Sequence, residues 1–381
     1  MTDTLSHPPV VANRRHFLGG AMGLAGMLGL GNIKHVSADE ATAAATAAAD
    51  YVWTPPQYDP EPSLFTVLDR NDETVIVETI DGQIGVPANP TRIVALGYEY
   101  VALFELGVID RLVALAYSSY AKTPLMNAGD MTEAMHAALA NVALIPDPWE
   151  PDLELVAAQH PDLILASAQF TPDPTALAQI APVIRLPALS INVPRAAVRD
   201  FGALFGLGDV EAAMTADHEA FIERARQAVE PVVGGKKAVV ISLVDDGLMA
   251  PPSYYLVNGE VFAYVEGAYQ LHRELRISPS NFIEALADEA DRSPITVKFS
   301  PELVGEVDAD YIFVYDFEHN YDLFVSDPLV KQTAAAKQGQ IYPYDAVGFG
   351  AGLAGDRATV AWMVETLTGK PFAGSTSLPA S

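Results

Sequence analysis

Apolar and polar positions alternate in short runs between residues 64 and 87: Phe65-Thr66-Val67-Leu68, then Thr74-Val75-Ile76-Val77-Glu78-Thr79, then Gln83-Ile84-Gly85-Val86. The breaks fall at Asp69-Arg70-Asn71-Asp72 and Asp81-Gly82, residues that favour turns. This pattern predicts a small antiparallel unit. From residue 92 the rhythm changes. Residues 92–96 read as a strand, 100–107 as a short helix ending at a glycine and 112–115 as a strand. A helix over 153–160 and strands over 162–165 and 183–186 follow. Strands that alternate with helices predict a parallel sheet covered on both faces. Residues 195–230 carry no strand signal, and 210–229 form the longest helical pattern, which Pro231 is expected to stop. Strands resume at 237–243, 311–314 and 341–342, and a helix over 358–368 closes the chain. The expected fold class is α/β, with two parallel-sheet lobes joined by one long helix.

The N-terminus has a different character. Asn13-Arg14-Arg15-His16-Phe17-Leu18 precedes a Gly-rich apolar stretch over 17–31, and Val36-Ser37-Ala38 offers a small-x-small cleavage site. A charged start, an apolar middle and a small-residue end predict a secretory signal, and the paired arginines point to the twin-arginine route, which exports folded chains. Residues 39–62 are rich in Ala and Thr and then in Pro, and are expected to form a mobile tether. The expected division is 1–38 signal, 39–62 tether, 63–196 N-terminal lobe, 197–230 linking helix, 231–372 C-terminal lobe and 373–381 tail.

Composition narrows the function. The chain of 381 residues has no cysteine, which excludes disulfides, thiolate metal sites, Cys nucleophiles and a lipidated Cys anchor. Cleavage at Ala38 would release a soluble protein in the periplasm, cell envelope or exterior; without cleavage the apolar stretch would be the anchor. The net charge of −27 argues against binding nucleic acid or anionic membranes. It fits a soluble surface and equally a halophilic source.

One phrase occurs twice. Pro151-Asp152-Leu153-Glu154 leads to Pro161-Asp162-Leu163-Ile164-Leu165, and Ser300-Pro301-Glu302-Leu303 leads to Ala309-Asp310-Tyr311-Ile312. Each Glu stands eight residues before its Asp. The Asp suits a turn and the Glu suits the first turn of a helix, where the dipole favours an anion. Together the phrases predict two related lobes, each presenting one carboxylate to a two-fold partner.

At this point the chain resembles the periplasmic or extracytoplasmic binding proteins of ABC importers for iron siderophores, haem and cobalamin. The resemblance covers roughly residues 64–370 and is carried by residues 86–96 (VPANPTRIVAL), Leu106-Gly107-Val108, the two Glu phrases and Val307-Asp308-Ala309-Asp310. It implies two Rossmann-like lobes joined by one long rigid helix, a ferric siderophore as cargo, and a monomer that delivers to a permease dimer with its ATPase. It implies that Glu154 and Glu302 dock on the permease. The chain departs from the family at Val101, where a Glu is common, and at Val347-Gly348-Phe349-Gly350, where an aromatic pair is common.

In parallel α/β sheets ligands lie beyond the carboxyl ends of the strands. That rule selects Tyr98, Glu99 and Tyr100, then Tyr117 and Tyr120, then Gln169 and Phe170, and in the second lobe Asp245, Asp246, Tyr315 and His319. Trp149 precedes the Glu154 helix. Aromatic side chains give flat, amphipathic contact for an organic chelate. An anionic chelate calls for arginine, for which Arg273, Arg276, Arg292 and Lys298 are the candidates. Each aromatic has core packing as its alternative, and each cation a solvated surface. Tyr315, Asp316, Glu318, His319 and Tyr321 form a set of hard ligands, so direct metal binding through Glu318 and His319 stays open beside haem and cobalamin.

Enzyme motifs are weak. Gly350-Ala351-Gly352-Leu353-Ala354-Gly355 fits G-x-G-x-x-G but is followed by only 26 residues, too few for a βαβ unit. His218-Glu219 lacks the second His of a zinc protease, and G-x-S-x-G and the Walker loop are absent. No catalytic residue and no resident cofactor is expected. An exported α/β hydrolase is the competing class.

Overall fold

The computed structural model describes residues 33–49, 51–53, 61, 63–97, 99–118, 123–124, 133–147, 150–168, 171, 173–187, 193–244, 247–251, 253, 255–257, 260–262, 267–287, 296–316, 320–344 and 352–373. It opens with strand β1 (Ile33–His35) and helix α1 (Ala38–Ala48). A three-stranded antiparallel meander follows, of β2 (Thr66–Arg70), β3 (Thr74–Thr79) and β4 (Gly82–Pro87), as the alternation predicts.

Lobe one is built from β5 (Ile93–Ala95), α2 (Tyr100–Glu105), β6 (Leu112–Ser118), β7 (Thr123–Pro124), α3 (Glu133–Leu139), β8 (Ala143–Ile145), α4 (Leu153–Ala158), β9 (Leu163–Ser167) and β10 (Val183–Leu186). Its sheet runs β10-β9-β5-β6-β7, with β8 also on β6, and every pair but β6–β7 is parallel. Successive side chains point to opposite faces. Ile93, Ala95, Leu163 and Leu165 join one core, whereas Val94, Leu96, Ile164 and Ala166 join another. Both faces are therefore buried, which explains the near-continuous apolar strands.

Two helices, α5 (Pro194–Phe205) and α6 (Gly208–Val233), link the lobes. Lobe two then holds β11 (Lys237–Val244), β12 (Gly247–Ala250), the hairpin β13 (Tyr255–Val257) and β14 (Glu260–Phe262), and a π-helical turn over Tyr269–Glu274. It continues with β15 (Ser278–Pro279), α7 (Asn281–Leu286), β16 (Thr296–Phe299), a 3-10 turn over Pro301–Glu306, β17 (Tyr311–Asp316), α8 (Tyr321–Ser326), α9 (Ala334–Lys337), β18 (Ile341–Tyr344) and α10 (Gly352–Thr368). The sheet order is β1-β16-β12-β11-β17-β18, with β15 also on β11 and only β12 antiparallel. Helices α1 and α7 share the core on one face, and α6 and α10 cover the other. The α/β fold of two parallel-sheet lobes stands as expected.

The connection differs in detail. The chain breaks at Gly206, whose φ of 70° closes α5 in the left-handed region, and α6 restarts at Gly208. A side chain at Gly202 would meet Glu211 Cβ at 2.8 Å, so the glycine permits this close helix–helix approach. Pro231 does not stop α6, which runs on to Val233. Proline removes one backbone bond there, while Val229 and Val233 are buried in the lobe-two core and hold the last turn.

The N-terminal segment also differs from expectation. Residues 39–62 were expected as a mobile tether, yet α1 spans most of the first part and packs against α7. Ser37 and Glu40 form a capping box: Glu40 N–H donates to Ser37 Oγ at 3.3 Å and Ser37 N–H to Glu40 Oε2 at 2.9 Å. β1 lies within the span 1–38 expected to leave with the signal. It pairs with β16, extended by Val36 N–H to Lys298 O at 2.9 Å. Residues 1–32 lie outside the described residues.

Candidate functional site

The repeated phrase builds the same local structure twice. In lobe one Asp152 caps α4 and accepts from Glu154 N at 2.9 Å and Leu155 N at 3.2 Å. In lobe two Ser300 Oγ accepts from Glu302 N at 3.4 Å and caps the 3-10 turn. Each cap fixes the helix start on the carboxyl side of a strand, β8 in lobe one and β16 in lobe two. Glu154 and Glu302 thus sit in first turns at the carboxyl edge of their sheets, and both are exposed. The exposed Leu153 and Leu155 flank Glu154.

The following Asp completes the equivalence. Asp162 N–H donates to Arg92 O at 2.9 Å and its carboxylate accepts from Arg92 N at 3.0 Å. Asp310 N–H donates to Lys237 O at 2.9 Å and its carboxylate accepts from Lys237 N at 3.0 Å. Each Asp therefore ties the start of one central strand to the start of its neighbour.

At the carboxyl end of β5 the chain turns through Gly97 into α2. A side chain at Gly97 would meet the Glu99 carboxylate at 2.7 Å, so the glycine lets that carboxylate fold back over the turn. Glu99 is buried, and among the described residues neither of its oxygens has a partner at full hydrogen-bond geometry. Burial pushes its carboxyl up to about 7, against the opposing pull of the Glu99 and Gly97 backbone N–H groups.

In lobe two Tyr315, near the carboxyl end of β17, is half-buried, with its ring centroid 5.7 Å from that of Tyr344 at the end of β18. Tyr344 in turn lies 5.3 Å from Trp362. These spacings are those of favourable aromatic pairs. The result is a rigid ledge leading from the strand ends into the core. The strand-end rule selects Tyr315 and, carried to the end of β18, would have selected Tyr344 as well; Trp362 escaped it because it enters through a helix.

Other sequence candidates fall elsewhere. Tyr100 is 0 % exposed and belongs to the lobe-one core, because α2 lies between the sheet and α5; it packs and does not face a ligand. Arg276 stands just before β15, which pairs with the first residues of β11, so it is at the amino edge of the sheet, away from the strand ends. Arg273 is 4 % exposed and committed to Glu274 and Glu61. Lys298 is half-buried near the carboxyl end of β16 with its stem against Gly247, which places it on the candidate side. Tyr98, Tyr120, Trp149, Gln169, Phe170, Asp245, Asp246, Arg292, Glu318 and His319 lie outside the described residues, as do the side chains of Tyr117 and Asp316.

A polar seam that the sequence reading missed lies buried between the lobes. Arg195 of α5 donates to Glu274 through two nitrogens, at 2.5 and 2.9 Å, and to Tyr269 Oη at 2.8 Å. Burial opposes ionisation of Glu274, but the Arg195 and Arg273 guanidinium groups outweigh it and hold the carboxyl well below its usual range. His218, Glu274 and Asp356 present ligand atoms within 4.8 Å of one another. A cation there would face Arg195, Arg273 and Arg357. Arg357 Nε lies 3.4 Å from His218 Nδ1, and His218 Nε2 lies 3.1 Å from Asp356 Oδ2. Arginines already balance these carboxylates, which suits a structural seam better than a metal centre. At the far end, Glu105 of lobe one accepts from Ala354 N at 2.9 Å and so caps α10 of lobe two. Gly352 leaves the space: with φ 61°, a side chain there would run into the Glu105 carboxylate.

With this geometry in hand, solved structures of similar shape can be compared. Staphylococcus aureus SirA complexed with staphyloferrin B superposes with a TM-score of 0.62 at 17 % identity, covering 77 % of this chain and 98 % of SirA. The petrobactin-binding protein YclQ of Bacillus subtilis gives 0.56 at 20 %, covering 78 % and 98 %. The siderophore periplasmic binding protein from the fuscachelin gene cluster of Thermobifida fusca gives 0.55 at 20 %, covering 75 % and 99 %. At such identities the likeness establishes the fold. No curated protein matches the sequence. The family pattern described as "Periplasmic binding protein" matches residues 93–347, more than half of the chain, and the chain belongs to that family.

Proposed function

We propose that this protein is an extracytoplasmic solute-binding protein that captures a ferric siderophore between its lobes and delivers it to the permease of an ABC importer. The observation that carries the reading is the pair Glu154 and Glu302, equivalent in two repeated lobes and exposed at the carboxyl edges of both sheets. A two-fold permease dimer with an ATPase below it offers two equivalent sockets to such a pair. The cargo class is supported by the fold neighbours, named for staphyloferrin B, petrobactin and fuscachelin. The Tyr315–Tyr344 ledge gives a flat surface for an organic chelate, and Lys298 a cation for an anionic one. The work is capture and release, with no bond made or broken in the cargo, and the twin-arginine signal is its route out of the cytoplasm.

The test is a titration of the chain from residue 33 onward with a panel of ferric siderophores, haemin and cyanocobalamin, followed by tryptophan and tyrosine fluorescence. Saturable quenching by a ferric siderophore, weakened at least several-fold by Tyr315→Ala, is the expected result. A response to haemin or cobalamin alone would keep the family and change the cargo. Silence across the panel would sink the reading.

A further inference from the structure

Helix α10 belongs to lobe two by sequence, yet its first turn is built into lobe one. Leu353 is 1 % exposed and shares an apolar cluster with Leu103 of α2 and Phe201 of α5. The next residue, Ala354, donates its N–H at 2.9 Å to Oε1 of Glu105, the last residue of α2. Gly352 leaves room for that carboxylate. Further along, α10 turns to its own lobe. Val360, Ala361, Met363 and Val364 sit in the lobe-two core with Phe221 of α6 and Phe313 of β17. Trp362, half-buried, has its ring centroid 5.7 Å from that of Phe313 and 5.3 Å from that of Tyr344, the ring that stands beside Tyr315. One helix thus joins a contact with lobe one to the aromatic ledge at the strand ends of lobe two.

Packed helices slide along one another by about 1–2 Å without breaking their apolar contacts. Contacts at a helix end therefore set where along its axis the helix comes to rest. Leu353 and Trp362 are nine residues apart. Roughly 13 Å of stiff helix lies between them, so a shift of the first turn reaches the Trp362 ring. We infer that Glu105 of lobe one is a positioning residue for the cargo site: by holding the first turn of α10 it sets the Tyr344–Trp362 part of the ledge. Without this acceptor the Ala354 N–H is left unsatisfied in a part-buried first turn. Drawing that turn away from α2 towards water relieves the defect, and Trp362 moves with it. The burial of Leu353 opposes the withdrawal, so the displacement is small and the fold survives. Contact between flat rings and a rigid chelate depends steeply on ring placement, so a small displacement is enough to weaken capture. Glu105 acts in this through α10 and does not touch the cargo.

The link from ring placement to affinity rests on the capture reading above; the placement itself does not. Fluorine nuclear magnetic resonance on the full chain grown with fluorotryptophan gives one signal for each of Trp53, Trp149 and Trp362, and Trp362→Phe identifies the last. The measurement is made at pH 6, below the value of about 7 to which burial raises the Glu105 carboxyl. Glu105→Ala should shift the Trp362 signal. Glu105→Gln, which keeps an acceptor for Ala354 N–H, should leave it at the parent position. Asp162→Ala, which weakens lobe one at the far end of its sheet, should lower the melting temperature and leave the Trp362 signal in place. Leu353→Ala loosens the same turn and carries the test if Glu105→Ala folds poorly. Affinity for the ferric siderophore that quenches the parent should fall about tenfold in Glu105→Ala and return in Glu105→Gln. A Trp362 signal that stays at the parent position in folded Glu105→Ala, or that Asp162→Ala shifts equally, would overturn the positioning role. A shifted signal with unchanged affinity would overturn its bearing on capture. A shifted signal in a protein that binds nothing on the panel would uphold the placement by Glu105 and reject the capture reading.

Discussion

Asp162 and Asp310 make the same reciprocal pair of backbone hydrogen bonds, to Arg92 and to Lys237, at the foot of the central strands of their lobes. The two lobes are therefore variants of one folding unit. Asp162 accepts additionally from Thr91 N at 2.8 Å and from Thr91 Oγ1 at 3.1 Å. Asp162→Ala should accordingly lose about 2–3 kcal/mol of stability and Asp310→Ala about 1–2 kcal/mol. Denaturant midpoints would show it; equal losses would mean that the Thr91 bonds contribute nothing.

The proposed docking pair makes a separable prediction. Glu154 and Glu302 are exposed and each donates its backbone N–H to a cap, so removing the carboxylates leaves the caps intact. Glu154→Ala with Glu302→Ala should abolish uptake in cells while cargo affinity and melting temperature stay near the parent values. A loss of affinity would mean that the two carboxylates line the cargo site.

Stability should fall as pH rises from about 4.5 through 7. Burial raises both Glu99 and Glu105 to about 7, the latter against the hydrogen bonds from Ala354 and Leu353. A carboxyl raised on folding gives a stability that is fully present below its unfolded value and is lost as pH rises through its folded value. Each group accounts for at most roughly 3 kcal/mol. The melting temperature of the parent should decline between pH 5 and pH 8, and Glu99→Gln with Glu105→Gln should flatten the decline. Parallel curves would reject the assignment.

Gly352 and Glu105 should be coupled. Gly352→Ala strains a left-handed residue and drives Cβ into the Glu105 carboxylate, for about 1–3 kcal/mol. In the double variant with Glu105→Ala the clash disappears and only the strain remains. The cycle should show an interaction of about 1 kcal/mol or more; strict additivity would mean that the helix end moves away from the carboxylate.

Chains starting at residue 33 and at residue 39 should differ in stability. The shorter chain lacks β1, the Val36–Lys298 bond and the Ser37 cap. The cap alone is worth about 1 kcal/mol, and chemical unfolding of the two chains measures the whole. Indistinguishable midpoints would mean that residues 33–38 add nothing to the fold.

Local chemistry made much of this legible in advance. The Asp152 and Ser300 caps and the Asp162 and Asp310 turns are each written within a dozen residues, so the repeat, the lobes and the two carboxylates could be read directly. The seam could not: Arg195 and Glu274 stand 79 positions apart, and an isolated arginine in a sequence looks the same whether it meets solvent or a buried glutamate. Tyr100 misled because the strand-end rule locates a residue along the chain without saying which side of α2 it takes. The Ala- and Thr-rich stretch 38–48 looked like linker by composition, although Ser37-x-x-Glu40 was the signal of a helix start.

The pairing of β1 with β16 has a consequence for timing. Ile33 aligns with Thr296, so β1 leaves the ribosome about 260 residues before its partner strand exists. Contacts this distant in sequence form late. A truncated product ending before residue 296 would carry a complete lobe one and still leave its amino end unpaired. That loose end would mark the product as unfinished, so the first strand would serve as a proof of completion.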